Sequence, residues 1–160
     1  MSIPLPHRYF VIASGATTGH VNLTSTGLDP LASLPPAEFG GPGDKWSPET
    51  LLVAAVADCF VLTFRGVTRA ANLPWTTLKC EVEGKVDRVD RAIQFTGFFA
   101  DVALDLPSID NLAAAERALH KAEQACLIGN SLKAPMRLHI TYSVAGRVLE
   151  PAASGLSGSP

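Results

Sequence analysis

Hydrophobic and polar positions alternate most regularly between Leu78 and Val86, where Leu78, Cys80, Val82 and Val86 share one side and Lys79, Glu81, Glu83 and Lys85 the other. A period of two marks a strand with one wet face. A second strand is predicted over about 92–106, joined to the first through Asp87–Arg91, with Val102 and either Ala103 or Leu104 turned inward. A register change is expected in it near Gly97. Leu138, Ile140, Tyr142 and Val144 alternate in a last strand. Near the N-terminus, Tyr9–Ala13 and His20–Thr24 read as two short strands around a turn at Gly15–Gly19.

The helical periods are equally plain. Ser47 is a natural N-cap, Pro48 suits the first helical position, and Glu49 puts a carboxylate in the first turn. The run behind them is apolar nearly all round until Arg65, which predicts a helix from Pro48 to about Ala71 buried on most sides. Its length would be about 36 Å. A second helix is predicted from Ser108 or Asp110 to Ala125, with Leu112, Ala115, Leu119, Ala122 and Cys126 along its apolar stripe. Gly27–Trp46, rich in proline and glycine, is expected to be a long connection without regular structure, wrapping another element or a partner chain. Strands, helix, strands, helix, strand with one wet sheet face predicts an α+β fold of mostly antiparallel sheet. Pro151–Pro160 is small, polar and unpatterned, as a flexible tail would be.

Composition narrows the function. The chain has 160 residues, 47% of them hydrophobic and 18% charged, with a formal net charge of −2. That balance excludes wholesale disorder, and the absence of a basic stripe argues against nucleic acid as a partner. The apolar run Leu51–Phe64 is interrupted by Asp58 and falls short of the roughly 20 residues of a membrane span, so no membrane association is expected. The opening MSIPLPHRYF has no signal-like apolar core, and three widely spaced cysteines make no disulfide framework. A cytoplasmic protein with reduced thiols is the expectation.

Of these cysteines, Cys59 falls mid-helix in apolar surroundings, where a thiol is either inert packing or is activated by a cation brought from elsewhere in space. Cys126 closes the second helix, where carbonyls disfavour a thiolate, though it could accept a partner sulfur. Cys80 is on the inward face of its strand and reads as packing. His7, His20, His120 and His139 lack metal-ligand spacing, Gly40–Lys45 lacks the pattern of a phosphate loop, and no G-x-S-x-G elbow is present.

The segments PPAEFGGPGDKWSPETLLVAAVADCF and AEQACLIGNSLKAPMRLHITYSV together resemble the OsmC/Ohr family, small peroxidases acting on organic hydroperoxides. The likeness spans roughly Tyr9 to Val144. It rests on a Gly-rich loop, Pro48-Glu49 opening a buried helix, Cys59 ten residues past the Glu, and Cys126 closing a later helix with Asn130 beyond it. The resemblance implies one OsmC-like domain over 1–146 with a flexible tail over 147–160. The fold would be an intertwined homodimer in which antiparallel sheets wrap two central helices.

It further implies a thiol-dependent organic hydroperoxide peroxidase that needs no cofactor or metal. Cys59 would attack the peroxide, Cys126 would resolve the sulfenic acid as a disulfide, and an external dithiol would reduce that disulfide. Glu49 would hold a cation beside the thiol, and Leu52, Val56 and Phe60 would wall an apolar cleft. The family usually carries an arginine in the N-terminal hairpin turn; Thr17 stands there in this chain. Substitutes are Arg8 upstream and Arg65, a position where some OsmC-like members have arginine, which points about 120° away from Cys59 and so is available to a partner's site. Alternatively Arg65 is a helix-end charge that reaches solvent or pairs with Asp58. The competing function is a non-peroxidase OsmC-like protein that binds an apolar small molecule at the dimer interface.

Overall fold

A long helix, α1 (Pro48–Ala70), begins where Ser47 caps it and carries its large apolar side chains at a spacing of four. The cap is reciprocal: the Ser47 Oγ accepts from the Thr50 amide at 3.1 Å, and the Ser47 amide donates to Thr50 Oγ1 at 2.8 Å. In the computed structural model, which describes residues 4–149, the chain divides into two compact units meeting in sequence at Leu52 and Val53, within α1.

The N-terminal unit holds a three-stranded antiparallel sheet, β1 (Ile12–Ser14), β2 (Val21–Thr24) and β3 (Leu31–Ser33), in that order. The connection expected to lack regular structure over Gly27–Trp46 therefore contains a strand, and Ala37–Phe39 adds one 3₁₀ turn. Pairing with β2 organises β3, a long-range effect that its short Leu-Ala-Ser sequence does not announce. Pro36 then anchors the loop, its carbonyl accepting from both the Phe39 and Gly41 amides at 3.0 Å. Gly41 runs so close beneath Pro35 that a Cβ there would lie 1.7 Å from the Pro35 carbonyl oxygen.

The second unit is a four-stranded sheet ordered β4 (Thr77–Val89), β5 (Ala92–Leu106), β6 (Met136–Val144) and β7 (Arg147–Val148). The tight β4–β5 hairpin turns at Asp90 and Arg91, both with positive φ, as two-residue hairpin loops require. The register shift falls between Lys85 and Val86, with Lys85 opposite Gly97 and Val86 opposite Phe95, so the irregularity read at Gly97 is real. Beyond it Val86 is 37% exposed and not inward as its alternation suggested. Val102 and Leu104 face the core, whereas Ala103 is exposed.

One pairing departs from the antiparallel expectation: β6 runs parallel to β5, from Phe98 opposite Met136 to Leu106 opposite Val144. The intervening chain holds α2 (Leu112–Ala125) and α3 (Leu127–Ser131), and a crossover of that length returns the strand in the same direction. Arg147 and Val148, placed by the sequence in the tail over 147–160, pair with β6 as β7; the rest of that tail, 150–160, lies outside the described residues.

The core of this unit gathers the inner face of β5 (Val102, Leu104, Leu106), the α2 stripe (Ala115, Leu119, Ala122) and Phe60 and Phe64 of α1. Trp75 packs edge-on against Phe64 and donates to Thr68 Oγ1 at 3.0 Å. The expectation that α1 is buried on most sides does not hold within one chain. Only Val56, Phe60, Phe64 and Thr68 are buried, while Leu62 is 52% exposed. The sheet and α2 cover a single stripe of the helix and leave its flanks open. At 23 residues α1 is also long and apolar enough by length and composition to cross a membrane, unlike the shorter run read from the sequence, although its buried stripe is packed against protein.

Two glycine substitutions should behave oppositely in thermal denaturation. Gly41→Ala forces the loop off Pro35 and is expected to cost more than about 2 kcal/mol. Gly66→Ala, where a Cβ meets nothing within 4 Å inside α1, should stabilise by about 0.5–1 kcal/mol through helix propensity.

Candidate active site

Cys59 lies on the flank of the buried α1 stripe, about 60° around the helix from Val56. The stripe binds that flank to the rest of the second unit, and the sulfur is met there by a segment far away in sequence. The Ile128 amide donates to Cys59 Sγ at 3.5 Å, a contact across 69 positions. Thr63, one turn further along α1, places its Oγ1 4.0 Å from the same sulfur.

Ile128 is in the first turn of α3, and the residue that opens that turn is Cys126. The sequence places Cys126 at the end of a helix. The structure makes it both the C-cap of α2, its amide donating to the Glu123 carbonyl, and the N-cap residue of α3, its carbonyl accepting from the Asn130 amide at 2.9 Å. Its side chain makes no capping hydrogen bond to α3, yet the Gly129 and Ile128 amides nearby act to lower its thiol pKa, unlike the carbonyls of a helix end. Asn130 fixes the junction by donating from Nδ2 to the Gln124 carbonyl at 2.8 Å.

Cys126 is fully buried and Cys59 half-buried, both are free thiols, and the two are close enough that Cys59 contributes to the environment of the Cys126 thiol. Burial pushes the Cys126 thiol up, the Gly129 amide pulls against that rise, and the neighbouring Cys59 adds to it. Cys126 thus keeps its proton more firmly than an ordinary thiol. The Cys59 sulfur accepts from the Ile128 amide.

Glu49 belongs to the N-terminal unit and faces a cleft of about 310 Å³ whose walls include Leu34, Pro35, Pro36 and Phe39. Its Oε2 is buried and has no hydrogen-bond partner. Leu52 is half-buried, and Val56 and Phe60 are fully buried. Thr17 is exposed in the turn between β1 and β2. Arg65 is exposed on α1 and makes no ion pair among the described residues; in particular it does not pair with the exposed Asp58. Among the described residues no Lys or Arg hydrogen-bonds either sulfur. The structure thus brings Cys59 and Cys126 together and leaves Arg65 apart from them. The sequence reading did not foresee Ile128, because its part is played by a backbone N–H that every residue but proline carries.

Cys80, read as packing, borders the core on β4, and burial pushes its thiol from 9.0 to about 11, with the neighbouring Cys126 sulfur adding to the rise. A folded thiol that keeps its proton where the unfolded one releases it contributes stability that is intact below pH 9.0 and lost as pH rises through about 11. Cys80→Ala should therefore flatten the decline of stability across that window in denaturant titrations. An unchanged slope would assign the decline to other groups.

The sequence matches the family described as OsmC-like protein over residues 41–141, more than half of the chain. It is 27% identical over 112 residues to YmaD, an uncharacterised protein of Bacillus subtilis, covering 68% of this chain and 75% of that one. An OsmC-like protein of unknown function from Vibrio cholerae has a similar structure, with a TM-score of 0.76 at 15% identity over 84% of this chain and 99% of its own. The organic hydroperoxide resistance protein OsmC of Legionella pneumophila gives 0.66 at 23% identity over 88% and 100%. An organic hydroperoxide resistance protein of Elizabethkingia anophelis gives 0.68 at 18% over 89% and 99%. At such identities the structural likeness establishes the fold.

Proposed function

The chain belongs to the OsmC-like protein family, and on that premise we propose that it is a thiol-dependent peroxidase reducing organic hydroperoxides. The observation that carries this reading is the meeting of Cys59 with the start of α3, where the Ile128 amide donates to Cys59 Sγ two residues past Cys126 and the two free thiols influence each other. Cys59 is the attacking sulfur. As a thiolate it takes the terminal oxygen of the hydroperoxide, the O–O bond breaks, and the alkoxide leaves and is protonated to the alcohol. Cys59 is then a sulfenic acid. The Cys126 sulfur displaces its hydroxyl, which departs with the Cys126 proton as water, and a disulfide forms. An external dithiol reduces that disulfide by two exchanges and is itself oxidised.

The division of labour follows from the surroundings. Cys126, pushed up by burial, stays protonated until its partner is oxidised, so the two thiols do not compete as anions. Glu49 is the residue that positions a cation, as the resemblance implies. A homodimer is part of the reading: the open apolar flanks of α1 suit a second copy, and Arg65, exposed and without an ion pair among the described residues, is available to the partner's thiol. A reducing, cytoplasmic setting would return the disulfide to thiols.

A second reading is a binding protein for an apolar small molecule, without peroxidase chemistry. It is favoured by Thr17 in the hairpin turn and by the lack of any Lys or Arg hydrogen bond to either sulfur.

Peroxide-dependent consumption of a dithiol separates the two. With an alkyl hydroperoxide, Cys59→Ser should lose at least a hundredfold in rate, and Cys126→Ser should turn over once and stall with Cys59 oxidised. Equal rates for wild type and Cys59→Ser remove the peroxidase reading. Peptide mapping after peroxide should recover one Cys59–Cys126 disulfide with Cys80 free; sulfinic acid at Cys59 as the sole product would remove Cys126 as resolving residue.

A further inference from the structure

The second unit carries a cleft of about 320 Å³ that the cysteine chemistry does not use. Its wall runs from Glu123 in the last turn of α2, through Gly129 and Asn130 of α3, to Lys133 and to Met136 at the start of β6. Glu123 and Lys133 bring opposite charges to this one cavity without closing on each other. Among the described residues Lys133 makes no ion pair, and Glu123 meets only the exposed His120, at 3.8 Å. The Glu123 side chain is 35% exposed, so its carboxylate is already partly stripped of water and gains more from a charged partner than a fully solvated one would. The surrounding backbone is fixed. Asn130 Nδ2 ties α3 to the Gln124 carbonyl, the Leu132 amide donates to the Gly129 carbonyl at 3.2 Å, and the Pro135 carbonyl accepts from the Phe98 amide of β5 at 2.9 Å. The cleft is therefore built before any ligand arrives, as small-molecule sites usually are. Gly129 links it to the neighbouring thiol, since a Cβ placed there would lie 3.4 Å from Cys126 Sγ.

A carboxylate and an ammonium held apart in one small cleft are complementary to a ligand that carries the same two charges in reverse. We propose that this cleft binds a free α-amino acid as its zwitterion, the ligand's NH₃⁺ donating to the Glu123 carboxylate and its carboxylate accepting from Lys133 Nζ. Both bonds are charge-assisted, and a neutral zwitterion answers the two wall charges at once. A ligand with a single charge answers one of them and leaves the other with water alone. The amino acid's side chain then lies toward Leu132 and Met136, both half-buried. The volume is at the small end of the range of about 300–1,000 Å³ for ligand sites, which favours a short aliphatic side chain. The inference goes beyond the peroxidase reading: binding needs neither Cys59 nor a peroxide.

The test is an amide NMR titration of the full-length reduced protein, without peroxide, at neutral pH. The probes are L-norvaline and its two one-charge analogues, n-butylammonium, which lacks the carboxylate, and pentanoate, which lacks the amine. We expect norvaline to saturate with shifts centred on the Gly129 and Asn130 amides, and to bind at least tenfold more tightly than either analogue. Glu123→Gln should bring norvaline to the level of pentanoate, and Lys133→Met should bring it to the level of n-butylammonium. Exchanging the charges in one chain, Glu123→Lys with Lys133→Glu, should recover the preference for norvaline. The comparison of the three probes in wild type decides the matter even where a variant fails to fold. Norvaline bound no more tightly than n-butylammonium or pentanoate overturns the proposal. So does the absence of saturable shifts at Gly129 and Asn130, or undiminished norvaline binding in both single variants.

Discussion

The apolar stripe of α1 is the constraint on which the second unit depends. Val56, Phe60, Phe64 and Thr68 recur every four residues, and their burial against β5 and α2 leaves the helix only one way to lie. A fully buried aromatic or branched side chain contributes about 1.5–3 kcal/mol relative to exposure, so a rotation that removed two phenylalanines from the core would cost more than any single hydrogen bond nearby. Cys59 inherits its orientation from that stripe. Its sulfur has no strong interaction of its own to hold the helix; the helix holds it.

The other half of the pair is placed by a break in helicity. α2 ends at Ala125, Cys126 adopts an extended conformation, and α3 begins at Leu127. This junction releases amides that would otherwise be spent within a continuous helix, and Ile128 gives its own to the Cys59 sulfur. The Asn130 side chain, bound to the Gln124 carbonyl, closes the junction from outside. A continuous helix through Cys126 would have the same composition and no such donors. The cysteine pair is thus produced by packing on one side and by a local interruption on the other.

The N-terminal unit works by a different principle. Its loop is stiffened by proline, by the Pro36 carbonyl accepting two amides and by the tight approach of Gly41, and Glu49, in the first turn of α1, keeps one buried carboxyl oxygen that no described residue satisfies.

Much of the fold was legible in the local pattern. The start of α1 at Ser47-Pro48, the alternation of β4, the irregularity opposite Lys85 and the stripe of α2 from Leu112 to Cys126 all follow from rules reaching a few residues along the chain. So did the family, because the Pro48-Glu49, Cys59 and Cys126 spacing is itself local text. What the sequence could not determine is whatever depends on residues distant in the chain. β3 exists because β2 pairs with it, and β6 is parallel because two helices return it. The open flanks of α1 reflect what the sheet leaves uncovered. Arg65 and Asp58 share a heptad, yet both are exposed and neither forms an ion pair among the described residues. Above all, composition names three cysteines and says nothing of which two meet. That choice was made by tertiary packing, which puts a backbone amide 69 positions away onto one sulfur and keeps the proton on the other.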